Sequence, residues 1–166
     1  MGFRLNFDSK LGHKPGHYLI QSGIAGLMTM VFLSFLHLIR YHGIVAALGA
    51  TTFMIFTMPH RVSTRPRYVI GGYLMGGLAG VLITFALKSP DPGTIAIRIF
   101  LVGALTVAIA SLLMVVTNTE HPPAAGFALA LILQPWDFKT LGYVLAWVCL
   151  LSVAKHYLKR FLIDLL

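Results

Sequence analysis

Four long apolar runs most constrain what this chain can fold into. They cover residues 18–39, 68–87, 95–117 and 138–157. A run of about twenty apolar residues forms a helix about 30 Å long, which matches the hydrocarbon thickness of a bilayer. Because every backbone N–H and C=O group in hydrocarbon must be paired inside the protein, these runs predict membrane-spanning helices.

The overall composition supports a membrane domain. Of the 166 residues, 57% are hydrophobic and only 11% are charged, and the mean hydropathy is +0.82. A soluble domain carries about 25% charged residues. No second domain or long linker is visible, so we predict a single integral membrane domain over residues 1–166. It comprises a cytoplasmic N-terminal segment (1–17) with no signal-peptide cleavage site, a first half (18–87) and a second half (95–158).

Two shorter apolar segments, 43–58 and 122–134, lie between the long runs, and a proline follows each of them. Both halves therefore have the order long, short, long, which is consistent with a 3+3 inverted repeat. In many transporters, short or interrupted segments at matching positions of two such halves form the binding site. The predicted fold is an all-α polytopic membrane helix bundle with four long spans and two short helices. The short helices are either discontinuous crossings or half-helices that re-enter the same side.

The basic residues fall almost entirely between the apolar segments, and the formal net charge is +8. If all six apolar segments cross the membrane, nine of the 13 Lys and Arg residues lie on one side of it. If only the four long segments cross, eight of them do. The positive-inside rule therefore favours six passages with both termini in the cytoplasm. No alternation of basic and aromatic residues marks a nucleic-acid surface, so the lipid bilayer is the predicted partner of this charge and nucleic acid is not.

An ionisable dipeptide, two prolines and three small residues interrupt the second half. They are Glu120, His121, Pro122, Pro123, Ala124, Ala125 and Gly126. Proline is tolerated in the first helical turn, so a short helix is predicted to begin here, with its N-terminus near the membrane midplane. The free N–H groups of residues 124–126 and the helix dipole would form a site for an anion, and small side chains would let it approach the backbone.

The matching place in the first half carries Thr51 and Thr52, whose hydroxyl groups could donate to the same anion. The alternative is that both hydroxyls only bond back to carbonyl groups of their own helix. His121 has three interpretations: a neutral hydrogen-bond donor to substrate, a titrating proton relay, and a brace for the loop. Glu120 beside it is the candidate for proton coupling.

Arg65 and Arg67 form a basic loop that we interpret as the cytoplasmic mouth. They could collect anions or bind lipid headgroups. Further along, Gly72, Gly76 and Gly80 recur every four positions. This stripe favours close helix packing, and the alternative is a wall that lines a narrow pore.

No catalytic or metal-binding set is evident. The single cysteine, Cys149, lies in an apolar run, the seven histidines are scattered, and no carboxylate pair has a suitable spacing. We therefore predict that the protein is not an enzyme and holds no metal or other cofactor.

Three stretches of the sequence resemble the HPP family of integral membrane proteins. His-Pro-Pro at 121–123 with its small residues resembles the family signature, residues 48–51 resemble the GA(S/T) segment, and residues 65–72 resemble the QPRN-x-(I/V)-GGH stretch. The chain departs from this pattern at three positions: Tyr68 replaces the usual Asn, Tyr73 stands where His is common, and Ala124 stands where Gly is usual.

Members of this family in chloroplasts and cyanobacteria are associated with nitrite transport. The resemblance therefore implies a transporter or channel for a small inorganic anion, with nitrite as the leading substrate, in a bacterial inner membrane. Glycine-rich helix faces favour a homo-oligomer, for example a dimer. The alternative function is a non-transporting membrane scaffold or regulatory subunit.

Overall fold

A computed structural model describes residues 15–35, 42–86 and 95–165, and all of the long elements in these ranges are helices. They are α1 (Pro15–Phe35), α2 (His42–Thr57), α3 (Pro66–Ala86), α4 (Ile95–Thr117), α5 (Pro122–Leu133) and α6 (Phe138–Leu158). A 3-10 turn, Val62–Thr64, precedes α3. The helices α1, α3, α4 and α6 are long and apolar enough to cross a membrane, while α2 and α5 are shorter apolar helices. The predicted all-α fold with four long and two short helices is confirmed.

The observed helix ends lie close to the predicted ones. The first helix begins three residues before the predicted run, at Pro15, a residue that favours the first helical turn. The predicted ends of the long runs 18–39 and 68–87, at residues 36–39 and 87, lie outside the described residues. The same holds for the predicted cytoplasmic segment 1–17, except its last three residues.

Hydrogen bonds at the ends of α1, α2 and α5 show which of these helix ends share a side of the bundle. Tyr18, near the start of α1, donates a hydrogen bond from its hydroxyl to the Leu165 carbonyl (3.2 Å), and the Leu165 N–H donates to the Thr57 carbonyl (2.8 Å). The start of α1 and the end of α2 therefore share one side, which we call the tail side after residues 159–165. At the other side, the Gly43 N–H at the start of α2 donates to Gln134 Oε1 just after α5 (3.4 Å).

Helix α5 lies at the centre and packs against α2, α3 and α4. It has 12 residues and α2 has 16, so these helices are about 18 Å and 24 Å long, shorter than the hydrocarbon layer. Neither helix is therefore long enough to cross the hydrocarbon layer completely on its own.

The glycine stripe of α3 brings that helix against the backbone of α5. A Cβ atom added at Gly76 would collide with the Ala124 carbonyl oxygen, and one at Gly80 would lie 2.8 Å from Leu131 Cδ1. Because α5 fills the stripe, the close-packing interpretation is confirmed and the pore-wall alternative is wrong for this arrangement of helices.

The chain leaves α4 through a left-handed residue, Asn118 (φ 52°). The Thr119 N–H donates to the Met114 carbonyl (2.9 Å) and the Asn118 N–H donates to the Val115 carbonyl (3.1 Å). These two bonds form a Schellman motif, and asparagine tolerates the left-handed conformation better than most residues. The predicted break after α4 is confirmed, and it directs the chain inward, so that His121 is fully buried.

Candidate functional site

His121 is the residue immediately before α5, and its backbone is extended (φ −135°, ψ 97°). The nearest glycine of α3 is Gly72, where an added Cβ would lie 2.7 Å from His121 Cβ. Gly72 is six residues after the start of α3 and therefore lies about 9 Å along this helix, which is about 32 Å long. His121 lies beside Gly72, at the same level of the bundle. The sequence predicts a site near the midplane of the membrane; in the structure His121 lies nearer the first end of α3 than its middle.

Both ring nitrogens of His121 are paired with protein groups. Nε2 lies 2.9 Å from Thr51 Oγ1, and Nδ1 lies 2.9 Å from the carbonyl oxygen of Ser63 in the 62–64 turn. A carbonyl can only accept, so Nδ1 carries a hydrogen and donates it. In the neutral ring, Nε2 must then accept from the Thr51 hydroxyl.

Tyr73 extends this arrangement. Its hydroxyl lies 2.9 Å from Thr51 Oγ1, and because the single Thr51 hydrogen goes to His121, Tyr73 must be the donor. The result is a chain of hydrogen bonds in which Tyr73 donates to Thr51, Thr51 donates to His121, and His121 donates to the Ser63 carbonyl. We call these four residues the His121 cluster. If Nε2 carried a proton as well, the charged ring would donate to Thr51 too, and the Thr51 hydrogen could turn to the Ala47 carbonyl (3.1 Å). One hydroxyl rotation thus lets the cluster accept either charge state of the ring.

Tyr73 and Ser63 were not among the residues predicted for the site. Tyr73 is fully buried, and its ring centroid lies 5.8 Å from that of His121 and 5.2 Å from that of Phe127. The sequence feature that could have identified Tyr73 was its departure from the family pattern, in which His is common at this position. For Ser63 there was no signal, because a backbone carbonyl makes the contact and any residue could supply it.

The two threonines of α2 differ in their contacts. Thr51 joins α2 to α3 and to the start of α5, whereas the Thr52 hydroxyl donates to the Leu48 carbonyl of its own helix (2.9 Å). Both side chains are buried. The back-bonding alternative therefore describes Thr52, and Thr51 belongs to the His121 cluster.

The start of α5 has few free backbone donors. Pro122 and Pro123 have no N–H, and the Ala124 N–H donates to the His121 carbonyl (2.9 Å). Pro123 and Ala124 are buried, Pro122 and Gly126 are exposed, and Ala125 is half-buried. The helix dipole remains, but the first predicted amide donor is already engaged.

The predicted coupling and mouth residues lie on the outside of the tail side. Glu120 is exposed next to His121, outside the His121 cluster. Arg67 is exposed and donates from Nη2 to the carbonyl of Thr117, the last residue of α4, at 3.5 Å. A cation at a helix C-terminus interacts favourably with the dipole, so Arg67 stabilises the end of α4. Arg65 is exposed.

Lys155 in α6 is one of the nine basic residues that the charge count places on one side, and it was not among the predicted site residues. Its side chain is buried, with only 6% exposed. Its ammonium donates to the Thr64 carbonyl (2.6 Å) and to Thr64 Oγ1 (2.9 Å). The available signal was its place within the apolar run 138–157, four residues before Lys159.

A separate groove lies between α1 and α2. It has a volume of about 450 Å³ and a mostly apolar lining that includes Gly26, Gly49 and Phe53. No member of the His121 cluster lines it. Among the described residues, no three His, Cys, Asp or Glu side chains are grouped so that they could hold a metal ion.

Comparisons with known proteins bear on identity at the family level. Neither the search of curated proteins nor the search of solved structures gives a match. The comparison with protein families matches residues 13–160, most of the chain, to the family described as HPP, transmembrane region. This range contains all three stretches that carry the resemblance and the whole His121 cluster. The chain therefore belongs to the HPP family of integral membrane proteins.

Proposed function

We propose that this protein is a membrane transporter or channel for a small inorganic anion, with nitrite as the first candidate. One observation carries the proposal: a fully buried histidine stands at a break between two membrane helices, in a polar series that involves three helices. Ionisable groups at membrane depth are costly and usually belong to a substrate or ion pathway.

The charge near this break favours an anion. The N-terminus of α5 contributes the positive end of a helix dipole beside His121. Arg65 is exposed on the tail side, and the Lys155 ammonium lies under the turn that contacts His121. A cationic substrate would meet unfavourable potential along this route.

In the proposed binding step, His121 and Thr51 exchange protein partners for the anion. The anion would accept from the Thr51 hydroxyl and from the ring, while residues 122–126 shape the start of α5 and Thr52 supports α2 from behind. Glu120 is the proposed group for proton coupling, and Arg65 and Arg67 form the proposed mouth. No enzymatic reaction, metal or cofactor is part of this proposal.

One observation favours a second candidate, a non-transporting scaffold or regulatory subunit. Every hydrogen-bonding atom of the His121 ring is already paired with protein, and the Ala124 N–H is engaged as well. A cluster of this kind would also serve as a brace that fixes α2, α3 and α5 relative to one another.

Uptake of nitrite into liposomes with purified protein separates the two candidates. The comparison needs wild type, a His121→Ala variant and a His42→Ala control, since His42 is exposed at the start of α2. The transport proposal predicts saturable uptake that is lost in His121→Ala and kept in His42→Ala, with circular dichroism confirming that all three are folded. Uptake equal to that of empty vesicles for all three proteins would support the scaffold.

We further propose a bacterial inner-membrane location with both termini in the cytoplasm, and a homodimer. Tyr18 and Leu165 lie on the same side of the bundle, and small residues on α1 and α2 line the exposed groove. Close approach of two copies is favoured by such faces. Light scattering of the detergent complex measures the oligomeric state, and cysteine labelling from either side of the membrane measures orientation.

A further inference from the structure

Among the residues that the structure describes, no charged group is in direct contact with the buried ammonium of Lys155. It lies in α6, three residues before the helix ends, and both of its hydrogen bonds go to neutral atoms of Thr64. Among the described residues, no carboxylate oxygen lies within 4.0 Å of Lys155 Nζ; the single ion pair found there joins His60 and Asp164.

A buried cation that is paired only with neutral groups is expensive to maintain. The desolvation of an ion costs several kcal/mol in real proteins, and neutral hydrogen bonds offset only part of this cost. An ammonium group has three N–H donors, and Thr64 accepts two of them. A compact anion in contact with the ammonium would supply the missing counter-charge.

The charged groups around Lys155 add to the excess of positive charge. Its charged neighbours are Arg65, Lys159 and Asp164. The one carboxylate among them is already used, because Asp164 accepts from the His60 N–H (3.0 Å) and lies 3.5 Å from the His60 ring. Among the described residues that surround Lys155, three cations, Lys155 included, therefore share one carboxylate that is already engaged.

Lys155 and His121 hold the same short turn. The Ser63 carbonyl accepts from His121, and the carbonyl of the next residue, Thr64, accepts from Lys155. Ser63 and Thr64 are neighbours in the chain, so their Cα atoms are only about 3.8 Å apart. The 62–64 turn is therefore held by two side chains, that of His121 just before α5 and that of Lys155 in α6.

We propose that Lys155 is the fixed cation that receives the anion before it reaches His121. The anion replaces Thr64 as the acceptor at the ammonium, which releases one of the two side-chain contacts on the 62–64 turn and opens the route to the His121 cluster. This inference rests on the proposed anion transport. The competing explanation is a clamp, in which Lys155 only fixes the turn.

The first test measures the nitrite concentration that gives half-maximal uptake, in vesicles of zwitterionic lipid only. Lys155→Gln should raise this concentration about tenfold or more, equivalent to about 1.4 kcal/mol of binding, while Lys155→Arg keeps the charge and should change it by less than about threefold. Lys159→Gln is the matched control, since Lys159 is exposed on the same helix end, and it should stay within about twofold of wild type.

A clamp predicts a different pattern. Removing it would lower the maximal rate or the stability, and the half-saturating concentration of the remaining folded protein would not move. A folded Lys155→Gln variant with the wild-type half-saturating concentration overturns the inference and leaves the proposed function intact. Wild-type protein with no uptake overturns both.

A second variant covers the case in which Lys155→Gln does not fold. Thr64→Val removes one of the two neutral acceptors that compete with the anion for Lys155. The exchange mechanism predicts a lower half-saturating concentration in this variant, and an unchanged or higher value contradicts it. Anionic lipid added to the vesicles tests a headgroup as the ligand: stabilisation by that lipid that depends on Lys155, without any effect of nitrite, would overturn the assignment to a small free anion.

Discussion

Replacing Thr51 by valine removes the hydroxyl group at the centre of the His121 cluster while it keeps the shape of the side chain. Two hydrogen bonds are lost, one to His121 Nε2 and one from the Tyr73 hydroxyl, both 2.9 Å long. All three residues are buried, so water does not replace the lost partners. Hydrogen bonds between membrane helices contribute about 0.6 kcal/mol on average and at most about 1.7, so two of them predict a loss of about 1–3 kcal/mol.

Thr52→Val is the matched control for this substitution. Thr52 is the next residue of α2 and is equally buried, but its hydroxyl bonds only to the Leu48 carbonyl of its own helix. That carbonyl keeps its helical partner when the hydroxyl is removed, so the free energy of unfolding should change by about 0.5 kcal/mol or less.

Reversible unfolding of the detergent-solubilised protein by an added denaturing detergent measures both differences. A double-mutant cycle of Thr51→Val with Tyr73→Phe should show that the two losses are not additive, because both remove the same bond. Equal and small losses for Thr51→Val and Thr52→Val would refute the reasoning. Strict additivity in the cycle would show that the Tyr73 bond contributes nothing.

Four further substitutions, one of them a control, test the packing and the helix ends. Gly76→Ala should lower the free energy of unfolding by about 1–3 kcal/mol, because the added methyl group meets a backbone carbonyl of α5; Gly49→Ala, where nothing lies within 4 Å, should not destabilise, and thermal unfolding compares the two. Gln21→Leu removes three hydrogen bonds to backbone groups of α2 and of the segment after α6, so limited proteolysis should cut that segment faster. Hydrogen bonds from the Thr140 side chain and backbone hold the pKa of the Asp137 carboxyl at the start of α6 below its usual range. Its stabilising effect should therefore be constant at neutral pH and be lost as the pH falls below about 4, so that the difference between wild type and Asp137→Ala in a pH series of unfolding experiments disappears in acid.

The helices could be predicted because their causes are local in the sequence. Apolar run length sets the long spans, Pro122 and Pro123 set the start of α5, and the polar residues after α4 mark its end through the left-handed Asn118. The glycine stripe likewise has a direct meaning, since a spacing of four residues puts small residues on one helix face.

The site was only partly predictable, because its contacts join residues far apart in the chain. Thr51 and Thr52 look alike in sequence, and only the position of α5 decides which of them meets His121. Lys155 was not predicted as a buried residue because a lysine near a helix end usually reaches the interface, and its contact with the 62–64 turn is not encoded in any local pattern.

The most direct test of the account is the initial rate of nitrite uptake by wild-type protein in liposomes, measured against nitrite concentration beside nitrate, formate and chloride. The account predicts a saturable rate for nitrite well above that of empty vesicles, and competition from anions of similar size and charge. Rates that match empty vesicles for all four anions would contradict anion transport and leave the scaffold as the remaining function.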